Sequence, residues 1–268
     1  YRYVAISARH DDIWSISIMF GLEPTIIAWL SLSIFIGGLA KGLSGVALPI
    51  TTLAIALNFV DARTGLALLA VPILMTNIWQ AFGTGDIFGP LKRFWFMAVV
   101  FVFALYVGSL LVSILDEAVL FAMMGVSSLI FVCSQIYKPN SPALSPNAER
   151  ILGPIAGAIS GVMGGLTSVW GPPIIMFLFS LKLDKDTWVR SVTGLYLIGA
   201  IPLVFFYVQN GVLDGDMLWL SFAACVPVMV GILIGERARK HINEEAFRKF
   251  LLIVLLIVGV NMLRRAIM

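Results

Sequence analysis

The sequence predicts an all-α polytopic membrane protein built from two inverted repeats of about five membrane segments each, with broken or re-entrant helices at glycine- and proline-rich motifs. Three observations lead to this fold class. Of the 268 residues, 60% are hydrophobic and only 12% are charged, whereas soluble proteins carry about 25% charged residues. Apolar runs follow one another from residue 25 onwards, separated by short polar breaks. Two glycine-rich stretches with similar residue patterns lie about half a chain apart.

Apolar runs between polar, glycine or proline breaks predict ten membrane segments, and a full span needs about 20 apolar residues. The segments are 25–41, 43–60, 64–82, 93–115, 117–137, 150–166, 170–182, 187–208, 216–236 and 246–264. The first two and the sixth and seventh are short. Each of these pairs is either two crossings or a re-entrant hairpin, and both alternatives return the chain to the side from which it came.

The chain divides into four predicted parts. Residues 1–24 form an N-terminal interfacial segment, because their short apolar stretch follows two aspartates instead of the basic region of a signal peptide. Residues 25–137 form the first membrane repeat and residues 150–268 the second. The proline-rich stretch 138–149 between them is a cytoplasmic linker.

Several landmarks recur in the same order in both halves of the chain. The aligned positions are Gly38 and Gly157, Gly42 and Gly161, Arg63 and Arg190, Gly85 and Gly211, and Asp116 and Asn243. An odd number of crossings separates equivalent positions. The second repeat is therefore expected to run through the bilayer in the opposite sense to the first.

The distribution of basic residues predicts the orientation of the chain. Thirteen of the 18 lysines and arginines fall on one side of the predicted topology. The other side carries Arg2, Arg9, Arg63, Arg264 and Arg265. The positive-inside rule makes the first side cytoplasmic, which predicts a multi-pass protein of the plasma (inner) membrane with both termini outside.

The two glycine-rich stretches, 37–50 and 157–174, predict a substrate cavity. Non-helical backbone survives in a bilayer only where protein or a watery cavity satisfies its polar groups, and helix N-termini at such breaks attract anions. Asn77 and Gln80 add two amides one helical turn apart. The alternative for each glycine is close helix packing. The candidate substrate-binding residues are Gly42, Ser44, Gly45, Pro49, Asn77, Gln80, Thr167, Ser168, Trp170, Gly171 and Pro172.

Three basic residues are candidates for the mouths of the pathway. Lys41 lies beside the first glycine-rich break, and Arg63 and Arg190 lie at equivalent repeat positions. The alternatives are salt-bridged loop ends for the arginines and a lysine that snorkels to the interface. Every carboxylate falls at a segment end or in a loop, and both histidines lie outside the predicted segments, which disfavours a carboxylate relay for protons. We predict no catalytic residue, no metal and no cofactor.

The order of these motifs resembles the TauE/SafE family of membrane transporters, the sulfite-exporter group. The resemblance rests on the glycine-rich break that ends in a proline, on Asp61-Ala62-Arg63, on Pro72 with Asn77 and Gln80, and on the diverged copy with Trp170-Gly171-Pro172-Pro173. It covers residues 25–268. In the second repeat Leu203 and Phe206 stand where the first has the two amides, which suggests an asymmetric site.

The resemblance implies a secondary transporter or facilitator that moves a small sulfur-containing anion across the plasma membrane by alternating access. Sulfite, thiosulfate, sulfoacetate or another organosulfonate would be the substrate. The partners are then this anion and the lipid bilayer, with no nucleic acid. Two other classes stay open at this point. Gly42-Leu43-Ser44-Gly45 fits the GxSG pattern of intramembrane serine proteases, although that reaction needs a base beside the serine. The other alternative is a non-transporting membrane scaffold.

Overall fold

The computed structural model describes residues 23–136, 143–239 and 244–267. These residues form twelve helices and no strand. The helices are α1 (Pro24–Ser44), α2 (Leu48–Ala56), α3 (Ala62–Thr84), α4 (Phe88–Arg93), α5 (Trp95–Ile114), α6 (Glu117–Ile136), α7 (Pro146–Thr167), α8 (Gly171–Ser180), α9 (Lys185–Gln209), α10 (Gly215–Ala223), α11 (Cys225–Ala238) and α12 (Glu244–Ile267).

Five helical stretches of the described chain are long and apolar enough to cross a membrane. They are α1, α3, α5, α9 and the combined stretch Gly215–Ala238, which α10 and α11 form together. The predicted all-helical membrane class is confirmed by these spans. By contrast, α2 has 9 residues and α8 has 10. At 1.5 Å per residue they are about 14 and 15 Å long, half the thickness of the hydrocarbon core, so neither helix is long enough to cross by itself.

The helix boundaries depart from the predicted segments in several places, most of all in 43–60, where α2 spans only Leu48–Ala56. The segment predicted at 216–236 is two helices, because Pro227 in the first turn of α11 has no N–H with which to continue the ladder. The short helix α4 lies ahead of the predicted segment 93–115. Helix α7 begins at Pro146, four residues before the predicted start, because the Ser145 side chain accepts a hydrogen bond from the Ala148 N–H.

Two of the predicted parts fall largely beyond what the structure describes. Residues 1–22 of the interfacial segment and residues 138–142 of the linker lie outside the described residues. The rest of the linker, 143–149, leads directly into the first turn of α7.

Close helix pairs organise the bundle. Helix α1 packs on α11 and α5 packs on α7, while α3 packs on α9 and α6 on α12. Glycines make the first two contacts possible, because a Cβ added at four glycines of α1 and α7 would lie within 2.5 Å of a carbonyl oxygen of the facing helix. The glycines and the carbonyls that they face are Gly38 and Val228, Gly42 and Ile232, Gly161 and Phe101, and Gly165 and Leu105. Helix packing therefore accounts for these glycines.

Candidate functional site

The first side of the candidate site is the connection between α1 and α2. Helix α1 ends at Ser44, and Gly45 follows in the left-handed conformation with φ 85°. The Gly45 N–H donates to the Lys41 carbonyl at 2.6 Å, which closes the last turn. Helix α2 then starts at Leu48 with Pro49 in its first turn. The connection between the two helices lies within the glycine-rich stretch 37–50.

The second side is the connection between α7 and α8, which follows the same plan. Helix α7 ends at Thr167, and Ser168 takes the left-handed conformation with φ 59°, which is uncommon for a residue other than glycine. Its N–H donates to the Gly164 carbonyl at 2.8 Å. Helix α8 starts at Gly171, and its next two residues are prolines.

A small cavity lies where the two connections meet. The volume open to the centre of a water molecule is about 20 Å³, close to what one water requires. In the described conformation the cavity is thus narrow. The cavity is lined by Lys41, Val46, Leu48, Pro49, Ile50, Ile73, Asn77, Phe131, Ser168, Val169, Trp170, Gly171 and Tyr196.

Lys41 is the one charged side chain among the buried residues of the described chain, with 7% of its surface exposed. Its Nζ donates to Asn77 Oδ1 at 2.6 Å and to Thr76 Oγ1 at 2.9 Å, both on α3. Within the described residues no carboxylate pairs with it. Neutral oxygens accept two of its three N–H groups without compensating a charge, and an unpaired charge in a membrane interior is costly. A bound anion would supply that compensation.

Two helices begin at this cavity. Leu48 and Gly171 are the first residues of α2 and α8, and both line the cavity. The first N–H groups of a helix have no partner within it, so each start carries a partial positive charge of roughly half a unit. Two partial charges of the same sign and the Lys41 amine therefore lie around one space.

Tyr196 of α9 completes the polar lining. The residue is 6% exposed, and its hydroxyl oxygen is buried without a hydrogen-bond partner. Asn77 Nδ2 points to the Tyr196 carbonyl at 3.5 Å, a long contact. The Asn77 amide thus lies between the Lys41 amine and the backbone of α9.

Five of the predicted site residues line the cavity, namely Pro49, Asn77, Ser168, Trp170 and Gly171. The other candidates are engaged elsewhere. Gly42 packs against α11. The Ser44 hydroxyl donates to the Ala40 carbonyl and accepts from the N–H groups that follow α1.

The remaining candidates lie beside the cavity or at some distance from it. Thr167 is fully buried, and its hydroxyl donates to the Met163 carbonyl at 2.7 Å. A Cβ added at Gly45 would meet no atom within 4 Å. Pro172 is buried in the first turn of α8, and Gln80 is half-buried. None of these lines the cavity in the described conformation.

The three residues predicted at the pathway mouths have different surroundings. Lys41 is buried in the cavity, so it neither marks a mouth nor snorkels to an interface. Arg63 donates to the carbonyls of Val112 and Leu115 at the end of α5, instead of pairing with an aspartate, and it lines a polar surface cavity of about 380 Å³. Arg190 is half-buried in the first turns of α9.

Sequence reasoning missed Thr76 and Tyr196. Thr76 stands next to Asn77, and a threonine inside an apolar run is too common to single out. Tyr196 lies in a segment of apolar and aromatic residues, where nothing in the pattern distinguishes it. The signal for Lys41 was present, since it is the one lysine within a glycine-rich break.

A comparison with family models gives a match over most of the chain. The sulfite exporter TauE/SafE model matches residues 30–262. The chain belongs to this family. The predicted resemblance is confirmed, and with it the assignment to a family of sulfite exporter-like membrane transporters. Searches of curated proteins and of solved structures return no significant match. All residues of the cavity lie inside the region that matches TauE/SafE.

Proposed function

We propose that this TauE/SafE protein is a secondary transporter or facilitator that moves a small sulfur-containing anion by alternating access, and that the anion binds in the cavity at Lys41. The observation that carries the proposal is a buried lysine with neutral partners only, at the meeting point of two helix starts. Lys41 supplies a full positive charge and the starts of α2 and α8 supply partial ones. No acid among the described lining residues repels an anion there.

The inverted repeat is part of this proposal, and the packing supports it. Exchanging α1 with α7, α5 with α11, α3 with α9 and α6 with α12 converts the main helix contacts into one another. Four of the five described residues with a positive φ pair in the same way, Gly45 with Ser168 and Gly85 with Gly211.

The helix ends refine the alignment of the two repeats. Gly38 and Gly42 lie six and two residues before the last residue of α1, and Gly161 and Gly165 lie six and two residues before the last residue of α7. This register pairs Gly38 with Gly161. The alignment by sequence alone pairs Gly38 with Gly157, one helical turn earlier. The register from the helix ends also pairs the two sets of glycines that face carbonyl oxygens.

A difference between the two connections supports alternating access. Ser44, at the end of α1, is exposed, whereas Thr167 and Ser168, at the end of α7, are 0% and 1% exposed. The two connections therefore differ in exposure within one state, as is expected for a rocking mechanism. The proposed cycle exchanges them, so that the α7–α8 connection becomes accessible while the α1–α2 connection closes.

The proposed location is the plasma membrane with both termini outside. Arg265, near the end of α12, donates to the Leu57 carbonyl after α2. The C-terminal end of α12 thus lies at the same end of the bundle as the loop before Arg63, and these arginines belong to the side with fewer basic residues.

The protease alternative finds no support at Ser44. Its hydroxyl is engaged with backbone groups of its own turn, and the Lys41 amine binds α3 instead of the serine. Within the described residues no base therefore lies within reach of Ser44 Oγ. The second alternative is a membrane scaffold that binds no ligand. A negative result in the experiment below would favour this alternative.

The test is a ligand screen with the purified protein in detergent. Sulfite, thiosulfate, sulfoacetate, taurine and sulfate are added separately, and thermal unfolding is followed. A ligand that binds only the folded state adds about 2.7 kcal/mol of stability at a hundredfold excess over its Kd. We expect at least one sulfur oxyanion to stabilise the protein and to move across proteoliposome membranes. Absence of both effects for all five would contradict the proposed function.

A further inference from the structure

The Tyr196 hydroxyl is a buried polar group that the folded chain leaves without a partner. Tyr196 is 94% buried, and its oxygen makes no hydrogen bond to the protein. Buried hydroxyl groups nearly always have a partner, and an unpaired one is costly. Because Tyr196 also lines the cavity, the missing partner is expected to come from whatever occupies that cavity.

The hydroxyl lies directly at the start of α8. A Cβ added at Gly171 would be 2.4 Å from the Tyr196 oxygen, so the phenol reaches this position only because residue 171 is glycine. Pro172 and Pro173 have no N–H to offer. Among the first three residues of α8, the one N–H group is therefore that of Gly171, with the phenol next to it.

A second tyrosine of α9 shows what a structural role looks like in this helix. Tyr207 is fully buried, but its hydroxyl donates to the Gly165 carbonyl at 2.8 Å and lies 3.3 Å from Ser168 Oγ. Tyr207 does not line the cavity. The two tyrosines thus form a matched pair in which one hydroxyl serves the fold and the other is left for a ligand.

We propose that the Tyr196 hydroxyl donates a hydrogen bond to an oxygen of the bound anion at the start of α8. This inference rests on the proposed function. Lys41 and Tyr196 then have separate tasks. The amine compensates the charge of the anion, and the phenol orients an oxygen without adding charge. Tyr196 is a binding residue of the anion site that neither the repeat pattern nor the glycine-rich motifs indicate.

The experiment compares Tyr196→Phe with Tyr207→Phe in the full chain. Sodium sulfite and sodium sulfoacetate are titrated into each purified variant, and both the anion-free melting temperature and the dissociation constant are measured. We expect Tyr196→Phe to keep or raise the anion-free melting temperature, because it removes an unpaired hydroxyl. Its dissociation constant should rise about tenfold, as expected for a lost hydrogen bond to a charged group.

Tyr207→Phe should behave in the opposite way. It should lower the anion-free melting temperature, since two hydrogen bonds are lost, and keep the wild-type dissociation constant. Wild-type affinity in Tyr196→Phe, or a loss of anion-free stability like that of Tyr207→Phe, would overturn the inference while leaving the proposed function intact. If neither anion binds the wild type, thiosulfate, taurine and sulfate are titrated in the same way, and failure of all five to bind would overturn the proposed function and the inference together.

Discussion

Replacing Lys41 by methionine tests the charge on which the anion site depends. Methionine keeps an unbranched side chain of similar length and removes the amine. Removing one partner of a buried charge pair costs at least about 2 kcal/mol of binding free energy, which raises the Kd about 30-fold. An anion at a hundredfold excess over the wild-type Kd, which adds about 2.7 kcal/mol to the wild type, should then add only about 0.9 kcal/mol to Lys41→Met.

The assay is the increase in stability on adding the anion, measured for each variant against its own anion-free state. This removes the direct effect of the substitution, which leaves the Thr76 and Asn77 acceptors without their donor. Lys92→Met is the matched control, because Lys92 is exposed on α4 and does not line the cavity. It should keep the full increase. An undiminished increase in Lys41→Met would refute the assignment of the anion to this lysine.

Three further predictions concern packing, pH and the serine. Gly165→Ala should lower stability by about 1–3 kcal/mol, because its Cβ would lie 2.4 Å from a backbone oxygen of α5. Gly215→Ala should not lower it, because a Cβ at this position meets nothing within 4 Å. The melting temperatures of the two variants check this prediction. The Arg93 hydrogen bond lowers the pKa of Glu149, which precedes the predicted membrane segment. Above the pKa of the unfolded state this pair therefore contributes up to about 1 kcal/mol to the free energy of unfolding, and the contribution is lost as pH falls through the lowered pKa of the folded state. A double-mutant cycle at pH 7 and pH 3 measures it. Ser44→Ala should retain anion-dependent stabilisation, since Ser44 lies outside the cavity, and loss of this effect in a folded variant would place the serine in the site.

Much of the fold follows from local properties of the chain. Composition and the length of apolar runs predict an all-helical membrane protein. Helix ends follow from glycine, which adopts the left-handed conformation at low cost, and from proline, which has no N–H with which to continue a ladder. Helix α1 accordingly ends next to Gly45 and α8 starts next to two prolines. Boundaries were less predictable where capping decides them, as at Ser145, or where a proline splits a long apolar run, as at Pro227.

The candidate site was predictable in part. The breaks and the Asn77 amide pointed to the cavity, because a polar group or an irregular backbone at membrane depth needs a special environment. The individual roles within the glycine-rich stretches were not predictable. Gly42 and Gly171 look alike in sequence, yet one faces a carbonyl of α11 and the other faces a tyrosine hydroxyl, and only the packing partner distinguishes them.

Lys41 shows most clearly what the sequence and the tertiary structure each determine. The sequence by itself determined that a lysine lies within a glycine-rich break of a membrane protein, and it indicated a position near the end of a segment. The tertiary structure decided that α1 continues to Ser44 and that the amine reaches Thr76 and Asn77, 35 and 36 residues away. Burial depends on which distant helices pack around a residue, and this information is not contained in the local pattern. For the same reason, only the folded chain brings the Tyr196 hydroxyl to the start of α8.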